Sequence, residues 1–223
     1  MTQRVALIVG AGPGIGGAFA SRLVARGYNV ALAARQLKRL EALAASLNCR
    51  AYAVDVSSPT SVAELFIAVE QDLGTPEVVL FNAAARFPGA ITDLQPEVVA
   101  HSLQVNALGA FAVAQEAARR LLALGRGAIF FTGATASVQG FARSSAFAMG
   151  KFALRGLAQS LAKELAPSGI HVAHFVIDGV VATAGGERDF TPDNIAGSYL
   201  AVLDQPPGAW SWEIELRSYA ERF

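Results

Sequence analysis

Apolar residues fall along this chain in two alternating patterns. Short runs rich in alanine, valine, isoleucine and phenylalanine occupy 4–10 (RVALIVG), 29–35 (NVALAAR), 50–56 (RAYAVDV), 77–83 (EVVLFNA), 127–133 (GAIFFTG) and 171–178 (HVAHFVID). Runs of this length suit strands buried on both faces, as in a parallel sheet. Between them a helical period predicts helices over 14–26, 36–47, 60–73, 96–124 and 144–166. The punctuation agrees: SSPT precedes the third helix, Pro96 sits where a first turn tolerates proline, and LAPSGI closes the last. Regular alternation of strand and helix implies right-handed βαβ units, hence a doubly wound α/β fold with helices on both faces of the sheet. No linker, repeat or low-complexity stretch divides residues 1–223, so one domain is expected.

The pattern breaks after Thr183. AGGERDFTPDN is polar and glycine-rich, IAGSYLAVL can form a helix, and WSWEIELRSYAERF reads as part of a final strand and tail over 209–223. A segment such as 184–205, at the C-terminal side of a sheet, suits a substrate lid or a plain surface loop. Trp210 and Trp212 stand at alternate positions and are expected on one face of the last strand, as core or as a subunit contact.

Composition narrows the class. Eighteen basic residues balance eighteen acidic ones, so there is no electrostatic footprint for nucleic acid or a polybasic membrane patch. No apolar run approaches the roughly 18 residues of a membrane span. The start, MTQRVALIVGAG, is too short in apolar residues for a secretory signal. Cys49 is the single cysteine, which fits a reducing compartment, and a cytoplasmic location is expected. A hydrophobic share of 53% allows a generous core with apolar surface left for an oligomer.

Gly10, Gly12, Gly14 and Gly16, with Ile15 between the last two, join the first strand to the first helix. Glycine lets backbone N–H groups approach a phosphate, and the helix adds its N-terminal positive end. A strand before the turn and a helix after it are the context that supports nucleotide binding over a structural turn. The second strand should end beside the adenosine ribose, where an acidic residue selects a free 2′-hydroxyl. Here LAARQLKR offers Arg35, which would favour a 2′-phosphate and so NADP over NAD, unless it is ordinary surface charge. Lys151 is the odd residue of the helix over 144–166, sharing a face with Phe147, Leu154, Ala158 and Leu161. Taken alone, it reads as a lysine snorkelling past apolar neighbours.

Taken together, these motifs resemble the short-chain dehydrogenase/reductase family over residues 4–183. The glycine spacing matches, although Val9 stands where the family often has threonine. VDVS resembles the adenine contact, which implies Asp55 and Val56 against the base. FNAA keeps Asn82 and Ala83 of the family's Asn-Asn-Ala-Gly segment. LQVNALGAF implies that Asn106 is the active-site asparagine. IDGVVAT resembles the Pro-Gly segment beside the nicotinamide, with Gly179 and Thr183 kept and Asp178 in the proline's place. The resemblance implies a Rossmann-type fold and a lysine, Lys151, that holds the nicotinamide ribose and lowers a tyrosine's pKa. That tyrosine's position is Phe147, and the serine's position is Ala134.

Both hydroxyls that hold a substrate carbonyl in the family are therefore missing. Loss of a general acid costs about 10²- to 10⁴-fold, and loss of one oxyanion donor about 10²- to 10³-fold. Lys151 is the first candidate to replace the acid. Thr132, Thr135, Ser137, Ser144 and Ser145 offer weaker hydroxyls, and Tyr199 is read as a packed or surface tyrosine rather than an acid. His101 is not expected in catalysis, and His171, His174 and Cys49 show no metal-ligand pattern. Two readings follow. One is an NADP-dependent oxidoreductase acting on a small carbonyl, alcohol or activated double bond, using Asn106 and Lys151. The other is a weak or silent NADP-binding sensor or partner subunit. The resemblance also implies a homodimer or homotetramer built on the long helices and last strand.

Overall fold

The computed structural model describes residues 4–182 and 190–219. Seven strands form one parallel sheet: β1 (Arg4–Val9), β2 (Tyr28–Ala34), β3 (Arg50–Ala53), β4 (Val78–Phe81), β5 (Gly127–Thr132), β6 (Ile170–Asp178) and β7 (Glu213–Arg217). Their order is β3-β2-β1-β4-β5-β6-β7, so the chain reverses its winding between β1 and β4. The helices are α1 (Ile15–Ala25), α2 (Leu37–Leu47), α3 (Pro59–Leu73), α4 (Pro96–Leu103), α5 (Gly109–Leu124), α6 (Ser145–Leu165) and α7 (Pro192–Leu203). This is the Rossmann-type doubly wound arrangement that the alternating pattern predicts.

The strands lack polar alternation because both faces are covered. In β1, Val5, Leu7 and Val9 join one apolar cluster with α3, α5 and α6, whereas Ala6 and Ile8 join a second with α1, α2 and α7. Phe66 of α3 and Phe131 of β5 are fully buried in the first cluster; Phe19, Phe175 and Tyr199 are fully buried in the second. Truncating one of these phenylalanines to alanine is expected to cost about 3–5 kcal/mol.

Three expectations change. The strand expected over 50–56 ends at Ala53, because Asp55 turns the chain by accepting hydrogen bonds from the Ser57 N–H (3.0 Å) and hydroxyl (2.6 Å). The helix expected over 96–124 is interrupted by a π-helical turn at Gln104–Leu108, around the Asn106 side chain. Trp210 and Trp212 do not share a strand face, since β7 begins only at Glu213. Trp210 stacks on His171 with ring centroids 4.8 Å apart, while Trp212 meets Arg155 of α6 on the other side of the sheet.

Of the 184–205 segment, residues 184–189 lie outside the described residues, and 192–203 form α7. Its Tyr199 is buried, and Asp193 accepts two hydrogen bonds from Arg22 of α1. This anchors α7 in the helical layer. No helix of the described residues is long and apolar enough to cross a membrane.

Candidate functional site

Two cavities open side by side at the carboxyl ends of the strands. The first, about 520 Å³, lies where the winding reverses and is lined by Gly10, Gly12, Arg35, Arg39, Asn82 and Ala83, among others. In open α/β sheets this crevice is where ligands bind. Gly10 has φ +83°, and a Cβ there would overlap the backbone of Ala83; the loops after β1 and β4 touch only because position 10 has no side chain. Asn82 secures the contact by donating from Nδ2 to the Gly10 carbonyl at 2.9 Å. Gly12 and Gly14 differ, because a Cβ on either would meet nothing within 4 Å. Their bare faces serve no packing need, and they stand at the start of α1, which has no side-chain cap. Glycines with open space, uncapped N–H groups and two exposed arginines form a cradle suited to a phosphorylated ligand.

The second cavity, about 580 Å³, is lined by Ala134, Thr135, Phe147, Asp178 and Gly179, with Arg86 and Arg217 on its walls. Gly179 has φ +147°, which side-chain-bearing residues rarely adopt. Asp178 is buried, accepts from the Thr135 hydroxyl at 2.6 Å, and pairs with Arg217. The pocket therefore contains a carboxylate-guanidinium pair where the family resemblance places a proline.

Lys151 is 2% exposed and does not itself line this cavity. Its Nζ donates to the Thr132 carbonyl at 2.7 Å and lies 5.6 Å from the centroid of the Phe147 ring. Burial lowers its pKa from 10.5 to about 8. It is thus not a snorkelling surface lysine, and it makes no ion pair among the described residues. Asn106 packs against Gly150, the residue before Lys151 on α6, where a Cβ would crowd it. The Asn106 side chain donates to the carbonyls of Ala85 (2.7 Å) and Ser102 (2.9 Å), and accepts from the Ala85 N–H at 3.2 Å. These contacts absorb the asparagine's polar groups at the π-helical turn, a feature common at functional sites.

The structure brings Gly10, Gly12, Arg35, Val56, Asn82 and Ala83 together at the first cavity. Gly14, Ile15 and Gly16 form the adjacent helix start. Asp55 is exposed and holds Ser57 instead of lining the cavity, which leaves Val56 as the contact from that pair. Thr183 lies outside the described residues. Tyr199 is sealed in the core, 3.0 Å from the Thr132 hydroxyl and stacked on Phe175; burial raises its pKa and it reaches neither cavity. His101 packs against Phe87 on α4. Among the described residues no cluster of three or more His, Cys, Asp or Glu is placed to hold a metal ion. Residue patterns gave no notice of Arg39, Arg86 or Arg217. Arg39 was the most accessible of these, since it stands in the first turn of α2, four residues after Arg35.

Comparison with known proteins agrees with this geometry. The model of the short chain dehydrogenase family matches residues 4–192. An uncharacterized oxidoreductase of Staphylococcus aureus (strain USA300) is 30% identical over 97% of this chain and 98% of its own length. The crystal structure of a short-chain dehydrogenase from Rhodopseudomonas palustris superposes with a TM-score of 0.87 at 34% identity, covering 97% of this chain and 99% of that one. An alcohol dehydrogenase from the archaeon Thermococcus sibiricus, complexed with 5-hydroxy-NADP, gives a TM-score of 0.88 at 28% identity, covering 99% and 98%.

Proposed function

Because this chain belongs to the short-chain dehydrogenase family, we propose that it is an NADP-dependent oxidoreductase acting on a small carbonyl, alcohol or activated double bond. The observation that carries the reading is the cradle: Gly12 with an open face beside Arg35 and Arg39 on one cavity wall, and Gly14, equally open, at the adjoining helix start. The cofactor complex of the Thermococcus sibiricus relative supports it. The bound nicotinamide supplies the hydride. The chain's own residues do the rest. The glycine loop and the start of α1 hold the phosphates, Arg35 meets the 2′-phosphate, and Asn82 fixes the loop under the cofactor. Asp178 and Gly179 border the nicotinamide, with Thr183 expected beside them. Asn106 shapes the lysine's surroundings. Lys151 remains as a buried cation with spare N–H bonds, to bind the ribose and deliver a proton to the substrate oxygen.

A second reading has its own support. Ala134 and Phe147 present no hydroxyl to the second cavity, and Lys151 lies behind it. A protein that binds NADP and turns over slowly or not at all would look the same. The experiment is an NADPH-oxidation assay over a panel of small ketones, aldehydes and enones, with wild type and Lys151→Met. The oxidoreductase reading expects turnover that falls about 100-fold or more in the variant, and that declines as pH rises above about 8, where Lys151 loses its proton. Tight NADPH binding without turnover would select the second reading.

The protein is further proposed to act in the cytoplasm as a homodimer or homotetramer. Phe111 of α5 and Met149 and Phe152 of α6 are exposed apolar side chains on the two long helices.

A further inference from the structure

The charged side chains on the walls of the second cavity are Arg86, Asp178 and Arg217. Two of them satisfy each other. Asp178 accepts from the Thr135 hydroxyl through Oδ1 and pairs with Arg217 through Oδ2, while Arg217 also lies 3.5 Å from Glu215 of β7. Arg86 is different: it makes no hydrogen bond or ion pair among the described residues, and its Cζ lies 5.9 Å from the centroid of the Phe147 ring. Contact with a ring face leaves the N–H donors of a guanidinium unused. An arginine in this state can meet a planar carboxylate with two parallel hydrogen bonds.

The backbone beneath Arg86 is held on both sides. Ala85 donates its N–H to Oδ1 of Asn106 at 3.2 Å, and its carbonyl accepts from Nδ2 of the same side chain at 2.7 Å. Three residues beyond Arg86, the Gly89 N–H donates to the Arg143 carbonyl at 3.0 Å, which joins this loop to the segment before α6. A group whose base is fixed in this way loses less freedom when a ligand binds. Around it the cavity is largely apolar, with Phe141, Phe147, Ile177 and Val180 in its lining. Phe147 also separates the cavity from a second positive charge, since Lys151 Nζ lies 5.6 Å from the same ring centroid. The side of the cavity formed by Phe147 therefore carries positive charge that no carboxylate among the described residues offsets.

We propose that Arg86 is the specificity-determining residue of the second cavity, and that the substrate it selects is an oxo acid, or the corresponding hydroxy acid, with an apolar chain. The carboxylate would pair with Arg86, and the chain would lie along Phe141 and Val180. That the bound acid is also reduced or oxidised presumes the oxidoreductase reading above; its binding does not. One guanidinium in an otherwise apolar wall suits a singly charged carboxylate better than a phosphate, which carries more charge than one arginine balances.

The test is a calorimetric titration of levulinate and benzoylpropionate, each against its methyl ester, into wild type, Arg86→Met and Arg86→Lys, with and without NADP⁺. Wild type should bind each acid about tenfold or more tightly than its ester. Arg86→Met should lose that preference, and Arg86→Lys should regain part of it, because an ammonium keeps the charge without the planar fork. In wild type the Arg86 ¹⁵Nε resonance should shift when the acid is added and stay in place with the ester, a reading that decides the matter if a variant fails to fold. Failure to bind either acid, equal binding of acid and ester, or a preference that survives in Arg86→Met would overturn the inference and leave Arg86 as a surface arginine resting on Phe147. Failure of the oxidoreductase reading would appear separately, as acid binding that depends on Arg86 but no NADPH oxidation with any of these compounds.

Discussion

The two cavities are built by opposite means. The first is mostly backbone: glycines at positions 10 and 12 and a helix start, with arginines at the rim. The second is made of side chains brought from the loops after β4 and β5, α6, β6 and β7. A site of the first kind depends on where side chains are absent, and its neighbours can vary freely. The second cavity is open, at about 580 Å³, with Ala134 and Phe147 on its walls and no hydroxyl at either position.

The widest test of this contrast restores the side-chain half. Ala134→Ser with Phe147→Tyr should raise carbonyl reduction by about 10²-fold or more, since a general acid and an oxyanion donor return together. Initial rates of NADPH oxidation read the change. A rate lowered by the double variant would show that the present cavity uses a different proton donor in a geometry that the tyrosine blocks.

The next test separates two glycines in the backbone half. Gly10→Ala should destabilise the fold by roughly 3 kcal/mol, combining a disfavoured positive φ with overlap at Ala83. Gly12→Ala, with open space around its Cβ, should leave stability within about 0.5 kcal/mol yet weaken nucleotide binding. Urea unfolding and ligand titration of each variant check the pair; equal stability losses would erase the distinction.

Lys151 predicts a pH dependence in the side-chain half. Its folded-state pKa is lowered, from 10.5 to about 8, so the unfolded chain holds the proton more tightly. This group therefore opposes folding by on the order of 3 kcal/mol below pH 8, and the penalty fades as pH rises toward 10.5. Lys151→Met should be more stable than wild type at pH 7, with the gap narrowing above pH 8. Unfolding midpoints across that range measure it. Cys49, whose pKa burial raises to about 11, is present in both proteins and cancels.

The same contrast governs what the residue pattern reveals. Strand and helix alternation locates β1 through β6 and the helices that cover them, because burial on both faces leaves continuous apolar runs. The glycine loop is legible because each glycine answers a local demand of the turn. Three features were not. The π-helical turn at Asn106 has no glycine or proline to mark it, and it arises from side-chain bonds to Ala85 and Ser102. Trp210 and Trp212 alternate in sequence, but the chain enters β7 only after both. The His174–Glu213 contact joins residues 39 positions apart, and only the parallel pairing of β6 with β7 brings them together. Asp178 drew notice by standing where a proline was expected, yet its partner Arg217 comes from that same last strand.

The central claim, that the backbone half binds a 2′-phosphorylated dinucleotide, is tested most directly by titrating NADPH and NADH into wild type and Arg35→Ala. Wild type should bind NADPH more tightly than NADH. Arg35→Ala should weaken NADPH by about ten- to a hundredfold, the worth of a charge-assisted hydrogen bond, and leave NADH nearly unchanged. Equal loss for both cofactors, or no binding of either, would contradict it.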